Sequence, residues 1–432
     1  MYRSFRKLES VGGSPNAMVY SNLKSIIRDY RLILKGNVGV MMLSWIIFSI
    51  GWSLVMPYLS IYIKLLGGGD FEVSLVRSLG MLASAVMVIP GGYLTDILGR
   101  RRIIIPMTWT ISVITFLYAI VPDWTTLLIL WVIDSALHFY RPALMTIIVD
   151  SLPSNLRARG IALALIAPHI SWLIMPPIGG LLYDTYGVNG IRLGFIVAGL
   201  VGIVAATLRT KFLRETYSEY TSSGIGLRIL LRGVVYAYSN ILRVVRGVHR
   251  GIKVLALDLL VLNAWGIGLI EAYGVIYATE CLNVSGGEWG IYISIATLTS
   301  IILGFTITPV LDSIPRKKLL VAGLTLKTIP YILLLMFRVK EVMIPTLILS
   351  FISTQIILPS ARNSYVGDRV PAGIRGRVLS FMSIMMELGY VWSILVIGYI
   401  YSIQAYGPYT AITLTLMVSL IEILYVMLFL KE

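Results

Sequence analysis

Three ionisable residues fall on one face of a single apolar segment. Asp134, His138 and Arg141 stand at i, i+4 and i+7 within the run Thr125–Val149, the spacing that stacks side chains along one stripe of an α-helix. An acid, an imidazole and a guanidinium in a row suit a polar substrate, anionic if Arg141 leads, or a proton relay. The plainer alternative is an internal Asp134–Arg141 ion pair that only braces the fold. A second apolar run, Val254–Thr279, carries Asn263 and Glu271, and a third, Val378–Ile403, carries Glu387. Charge at such a depth in an apolar medium costs several kcal/mol unless it is paired or wetted. Glu271 and Glu387 are therefore candidate proton carriers. Tyr58, in the first run, and Trp265, beside Asn263, are candidate walls of an aromatic pocket, with Trp52 and Tyr62 near Tyr58. His169 and Gln355 are polar groups suited either to a cavity or to a bond between helices. Lys327 and Glu422 read as a structural pair or as snorkelling side chains.

Other chemistry lacks its residues. The single cysteine, Cys281, excludes an internal disulfide and a multi-cysteine metal site. The three histidines, at 138, 169 and 249, have no metal-ligand spacing. Neither a GxxxxGK[ST] phosphate loop nor a GxSxG nucleophile elbow is found. No catalytic residue, metal or cofactor is expected, and the protein reads as something other than an enzyme.

The elements that position these residues follow from composition. Hydrophobic residues make up 57% and charged residues 13% of 432, about half the ~25% charged content of soluble domains. Apolar runs of membrane-crossing length fall at about Val38–Lys64, Phe71–Leu94, Ile103–Val121, Thr125–Val149, Gly160–Leu182 and Ile191–Leu208. A second set falls at about Val254–Thr279, Trp289–Leu311, Leu319–Phe337, Val342–Tyr365, Val378–Ile403 and Tyr409–Leu430. The expected organisation is an all-α integral membrane protein of twelve transmembrane helices. It comprises a basic segment 1–37, a bundle 38–208, a basic linker 209–253 and a second bundle 254–432. The first 35 residues are polar and basic, so no cleavable leader is expected.

The net charge of +15 would suggest nucleic acid in a soluble protein; here it is a matter of topology. With the N-terminus inside, 28 of the 36 Lys and Arg fall on cytoplasmic segments, a strong positive-inside bias that puts both termini in the cytoplasm. Arg77 is counted among the five basic residues at outer loops and helix ends. Lys24, Arg28, Arg31 and Lys35, and the arginines of the linker, form basic faces suited to the anionic inner leaflet. The bilayer is the expected partner and nucleic acid is not.

The two halves share a signature. Gly92-Tyr-Leu-Thr-Asp96-Ile-Leu-Gly99-Arg100-Arg101-Arg102 follows the second run, and Asp312-Ser-Ile-Pro315-Arg316-Lys317-Lys318 follows the eighth. Asp150-Ser-Leu-Pro153 with Arg157 and Arg159 is matched by Asp368-Arg-Val-Pro371 with Arg375 and Arg377. The offsets are 216 and 218 residues, so two independent loops report one internal duplication. The acids and bases of these loops can pair differently in two bundle arrangements, with Arg100–Arg102 in reach of Asp150. They are candidate gating charges.

Gly92, Asp96, Gly99, Arg100 and Arg101 match the loop motif G-x-x-x-D-x-x-G-R-[RK], and by it the chain resembles the major facilitator superfamily. The second half keeps Asp312, Arg316 and Lys317 but has Pro315 for the second Gly. The resemblance implies two pseudo-symmetric six-helix bundles, a central cavity lined by helices 1, 4, 7 and 10, and alternating access. Met175-Pro176-Pro177-Ile178-Gly179-Gly180 is similar to an element of drug/proton antiporters, with Met175 replacing its Gly. The expected function is secondary active transport of a small solute, proton-coupled or coupled to another ion, leaning to efflux of a moderately hydrophobic compound. The alternatives are an uptake symporter or facilitator for an organic acid, amino acid or sugar, and a non-transporting membrane receptor or scaffold. A monomer in the plasma membrane is expected.

Overall fold

A chain this apolar can satisfy its backbone in lipid only through helices or a closed barrel. The computed structural model describes residues 29–217, 247–403 and 406–432, apart from the side chains of Ile89, Asp96 and Ala372. The described residues fold without a strand. In the first half run α1 (Gly36–Leu65), α2 (Asp70–Leu98), α3 (Arg100–Leu117), α4 (Trp124–Asp150), α5 (Arg157–Tyr186) and α6 (Val188–Phe212). In the second run α7 (Arg250–Cys281), α8 (Gly286–Leu311), α9 (Arg316–Met336), α10 (Lys340–Arg369), α11 (Ala372–Tyr401) and α12 (Gly407–Phe429). Among the described residues eleven helices are long and apolar enough to cross a membrane. The twelfth, α3, has 18 residues and begins with Arg100–Arg102. The basic faces expected before residue 29 and across most of the linker lie outside the described residues.

Helix ends are set locally. Asp123 caps α4 by accepting from the Thr126 N–H at 2.7 Å, a bond that holds its carboxyl below the usual carboxylate range. Ser285 and Glu288 form a reciprocal capping box at the start of α8. Gly99 ends α2 at φ 89°, and a Cβ there would meet Glu215 Oε2 at 2.9 Å. The second-half counterpart makes its turn with Pro315 as the residue before α9, whose fixed φ starts a helix without needing glycine.

The halves meet at the face away from the termini, called here the far face. Tyr58 donates to Pro176 O at 2.6 Å and to Gly286 O at 3.0 Å, and Asp184 accepts from the Gly286 and Gly287 N–H groups, each at 2.7 Å. Lys64 lies 2.8 Å from Asp70 and 2.6 Å from Glu280, and Tyr273 donates to Asp70 O at 2.7 Å. Toward the terminal face the halves part: Ile166, His169, Phe305 and Gln355 are exposed there, around a vestibule of about 530 Å³.

Four charges inside the second half are paired. Lys327 on α9 donates to Glu422 on α12 and, at 3.2 Å, to Asn263 O, while Asn263 Nδ2 donates to Glu422 Oε1 at 2.7 Å. All three are fully buried. One turn nearer the terminal face, Arg362 on α10 lies 3.8 Å from Asp258 on α7. Removing one member of such a pair strands the other, at a cost of about 3–5 kcal/mol. Lys327→Met is therefore expected to lower the unfolding temperature of the purified protein markedly, and Lys327→Met with Glu422→Leu to recover most of the loss. Equal stability of the single and double variants would contradict this.

Candidate functional site: a central cavity between the halves

Proline breaks α4 where its charged stripe sits. Pro142 has no N–H to offer His138 O, so the Arg141 N–H bonds it and the chain tightens to a 3-10 turn over His138–Tyr140. On the opposite half, α7 widens into π turns at Leu259–Asn263, Leu269–Tyr273 and Tyr277–Cys281, a distortion common at functional sites. Glu271 lies in the second of these. Between the two irregular helices is a cavity of about 160 Å³. Its charged lining is Asp134 and Arg141 from α4, Arg77 from α2 and Glu271 from α7, with His138 beside them.

Asp134 is almost wholly buried, whereas Arg141 and Glu271 are exposed to the cavity. His138 Nδ1 lies 2.8 Å from Asp134 O and 3.8 Å from Asp134 Oδ1. Asp134 Oδ1 itself has no hydrogen-bond partner among the described residues. Arg77 Nε donates to Ser60 Oγ at 3.1 Å, leaving its charge to act on Glu271. Arg141 acts on Asp134 within its own half and on Glu387 in the other. Trp52 and Trp131 stack at 6.1 Å between ring centres along one wall, and Tyr390 closes another. Four charges that can alternate partners across a seam between halves can respond to a solute or a proton.

The stripe of Asp134, His138 and Arg141 thus meets Glu271, with Glu387 half-buried nearby and its Oε2 without a hydrogen-bond partner among the described residues. Other sequence candidates go elsewhere. Asn263 belongs to the Lys327–Glu422 network, Tyr58 is spent on the far-face contact, and Trp265 packs edge-on against Trp392 at 5.3 Å. Of the loop residues, Arg100 lies 3.2 Å from Asp150 and Arg316 3.0 Å from Asp368, so the repeat is realised as two equivalent ion pairs. Glu215 accepts from the N–H groups of Arg100 and Arg101. Among the described residues Gly92 and Lys317 take no part in these contacts; Asp312 offers its carbonyl to Arg316 at 3.4 Å. Asp96 stands in α2, with its side chain outside the description. No cluster of His, Cys, Asp and Glu among the described residues is placed to hold a metal ion.

The sequence profile of the Major Facilitator Superfamily matches residues 41–277 and 259–432. The chain belongs to the major facilitator superfamily. Among curated superfamily members, an MFS-type transporter of Methanocaldococcus jannaschii is 29% identical over 176 residues, 40% of this chain and 45% of the relative. The quinolone resistance protein NorA of Staphylococcus aureus is 26% identical over 189 residues, 43% of this chain and 48% of NorA. The matches thus span about half the length of these relatives. Two solved superfamily folds superpose over nearly the whole chain. The nucleoside transporter NupG has a TM-score of 0.72 at 14% identity, covering 91% of this chain and 99% of that one. A bacterial homologue of the lysosomal transporter Spinster, inward-facing and occupied, has a TM-score of 0.71 at 16% identity, covering 90% and 95%.

Superfamily geometry brings in residues that the sequence reading set aside. Arg77 lies seven residues into α2 and reaches the cavity, although its place near a helix end had it counted with the outer charges. Arg209, counted with the linker, is fully buried, donating to Ser44 Oγ at 3.0 Å and Thr108 Oγ1 at 2.8 Å. Trp131 and Tyr390 carried no sequence signal beyond being aromatic in an apolar run.

Proposed function

We propose that this multi-pass membrane protein is a proton-coupled secondary transporter that exports a moderately hydrophobic compound by alternating access. The observation that carries the reading is the central cavity, where Arg77, Asp134 and Arg141 of one half face Glu271 of the other, with Glu387 nearby, around the seam on which the halves would rock. A proton on either side of that seam changes which acid each arginine attracts, and so which arrangement of the halves is favoured. NorA's name as a resistance protein supports export over uptake. The charge distribution supports a plasma-membrane topology with both termini cytoplasmic, and the fold needs no second copy to close.

The test is flux in proteoliposomes under an imposed pH gradient, over a panel of lipophilic cations, organic anions, amino acids and sugars. Gradient-driven movement of at least one aromatic compound is expected, and Asp134→Asn should lower it by about 100-fold while the variant inserts and purifies normally. Movement that ignores the pH gradient, or that Asp134→Asn leaves intact, would count against proton coupling. Silence over the whole panel would favour a receptor or scaffold.

A further inference from the structure

Beside the central cavity, and sharing Trp52, His138 and Arg141 with it, lies a second pocket of about 310 Å³ enclosed by α1, α4, α5 and α6. Its walls differ in kind from those of the first. Trp45, Phe48, Trp52 and Trp172 present aromatic surface, and the charged lining is Arg141 and Arg209. Among the described residues no acidic one contributes to its lining. Arg209 is fully buried, held by two hydroxyl acceptors, with Tyr140 next to it, and it has no carboxylate within ion-pair distance among the described residues. The Arg141 guanidinium is exposed to the pocket and likewise has no ion-pair partner among the described residues.

We propose that this pocket binds the transported solute, and that the solute is an organic anion with a flat aromatic body, its carboxylate or equivalent oxyanion lying between Arg141 and Arg209. The assignment rests on the transporter reading and names its substrate class. Arg209 is a fully buried guanidinium without a carboxylate partner, and Arg141 brings a second positive charge to the same cavity; an anion compensates both charges, whereas a cation adds to them. Guanidinium groups also match the planar, two-oxygen geometry of a carboxylate. Indole and phenyl walls favour a ring that can stack, and they supply the apolar contact area that orients it. The volume lies at the lower end of pockets for drug-sized ligands, about 300–1,000 Å³, which suits one or two rings. Arg141 belongs to both cavities, so an anion seated on it alters the charge that Asp134 and Glu387 feel. That places solute and coupling acids in electrostatic contact without a shared atom.

The experiment is calorimetric titration of the purified full chain with three probes of one shape and different charge: 2-naphthoate, 2-naphthalenemethanol and 2-naphthylmethylamine. We expect 2-naphthoate to bind at least about tenfold more tightly than either of the others. Arg141→Gln should weaken 2-naphthoate by about tenfold or more and leave 2-naphthalenemethanol within about twofold. Because Arg209 also braces α1 and α3, Arg209→Lys is the second variant: it keeps the charge, loses the fork, and should weaken 2-naphthoate more than 2-naphthalenemethanol, the neutral probe reading out any loss of packing. Preference for the amine or the alcohol overturns the anion assignment, and so does 2-naphthoate binding that ignores both substitutions. If proton-driven flux of some other compound is then found in proteoliposomes, the transporter reading survives alone. If no probe binds and the flux panel is silent, both fall.

Discussion

Replacing Gly290 by valine will hold the far face apart and abolish transport. Helices α5 and α8 cross there with almost no separation. A Cβ on Gly290 would meet Pro176 C and O at 2.4 Å, and one on Gly180 would meet Gly286 O at 2.0 Å. Carbon contacts are comfortable at about 3.5–4.0 Å, so valine intrudes by more than an ångström against backbone that cannot rotate away. Each helix packs within its own half on its other faces, so the protein should insert and purify. What it should lose is the closed far face, with the Tyr58 and Asp184 contacts that depend on it. Cys281, the only cysteine and partly buried near this face, reports the change. In Gly290→Val its reaction with a membrane-impermeant maleimide should quicken by about tenfold, as expected when a local opening ceases to cost free energy. Gradient-driven flux should fall below detection. Wild-type flux with wild-type labelling would show that the contact is not a moving part.

The same crossing shows how much was legible beforehand. Met175-Pro176-Pro177-Ile178-Gly179-Gly180 read as an element permitting bending and close approach, because small residues and prolines leave little between two backbones. Its partner could not be named, since a sequence does not say which helix will lie against which. The duplicated loops were a stronger case: offsets agreeing within two residues placed Asp150 opposite Asp368 and Arg100 opposite Arg316, and the pairs Arg100–Asp150 and Arg316–Asp368 follow from that symmetry. The stripe on α4 survived because three residues at helical spacing share a face even with one tightened turn.

Helix α7 defeated the same logic. Asn263 and Glu271 are eight residues apart, a separation that leaves them roughly 80° apart around a regular helix of 3.6 residues per turn. The π turns at Leu259–Asn263 and Leu269–Tyr273 add residues to their turns and rotate the phase between the two side chains. Asn263 therefore meets Glu422 inside its own half while Glu271 opens on the cavity. Hydropathy also weighs an arginine by its sequence neighbours, so Arg77 read as a helix-end charge and Arg209 as linker. Burial is settled by elements far along the chain: Ser60 and Glu271 for the first, Ser44 and Thr108 for the second.

Glu271→Gln is expected to separate exchange from accumulation. A pH gradient can drive a solute only through a group that binds a proton in one arrangement of the halves and releases it in the other. Glu271 is exposed to the central cavity, answers to Arg77 across the seam, and sits on the distorted helix whose phase would change as the halves rock. Glutamine keeps the shape and stays neutral in both arrangements. The loaded carrier can then still reorient, so solute-for-solute exchange should persist within about threefold, while uphill accumulation should drop by about 100-fold, some 2.7 kcal/mol of lost coupling. Glu271→Asp should retain part of the accumulation, because the titrating group survives on a shorter stem. Glu387→Gln supplies the comparison, since that acid answers to Arg141 from the other side. If Glu271→Gln accumulates normally and Glu387→Gln does not, the coupling proton travels with the α4 stripe and α11. If both accumulate normally, neither acid carries it. An intermediate loss in each, deepening to the full loss when the two are combined, would mean that the two acids share the proton across the seam.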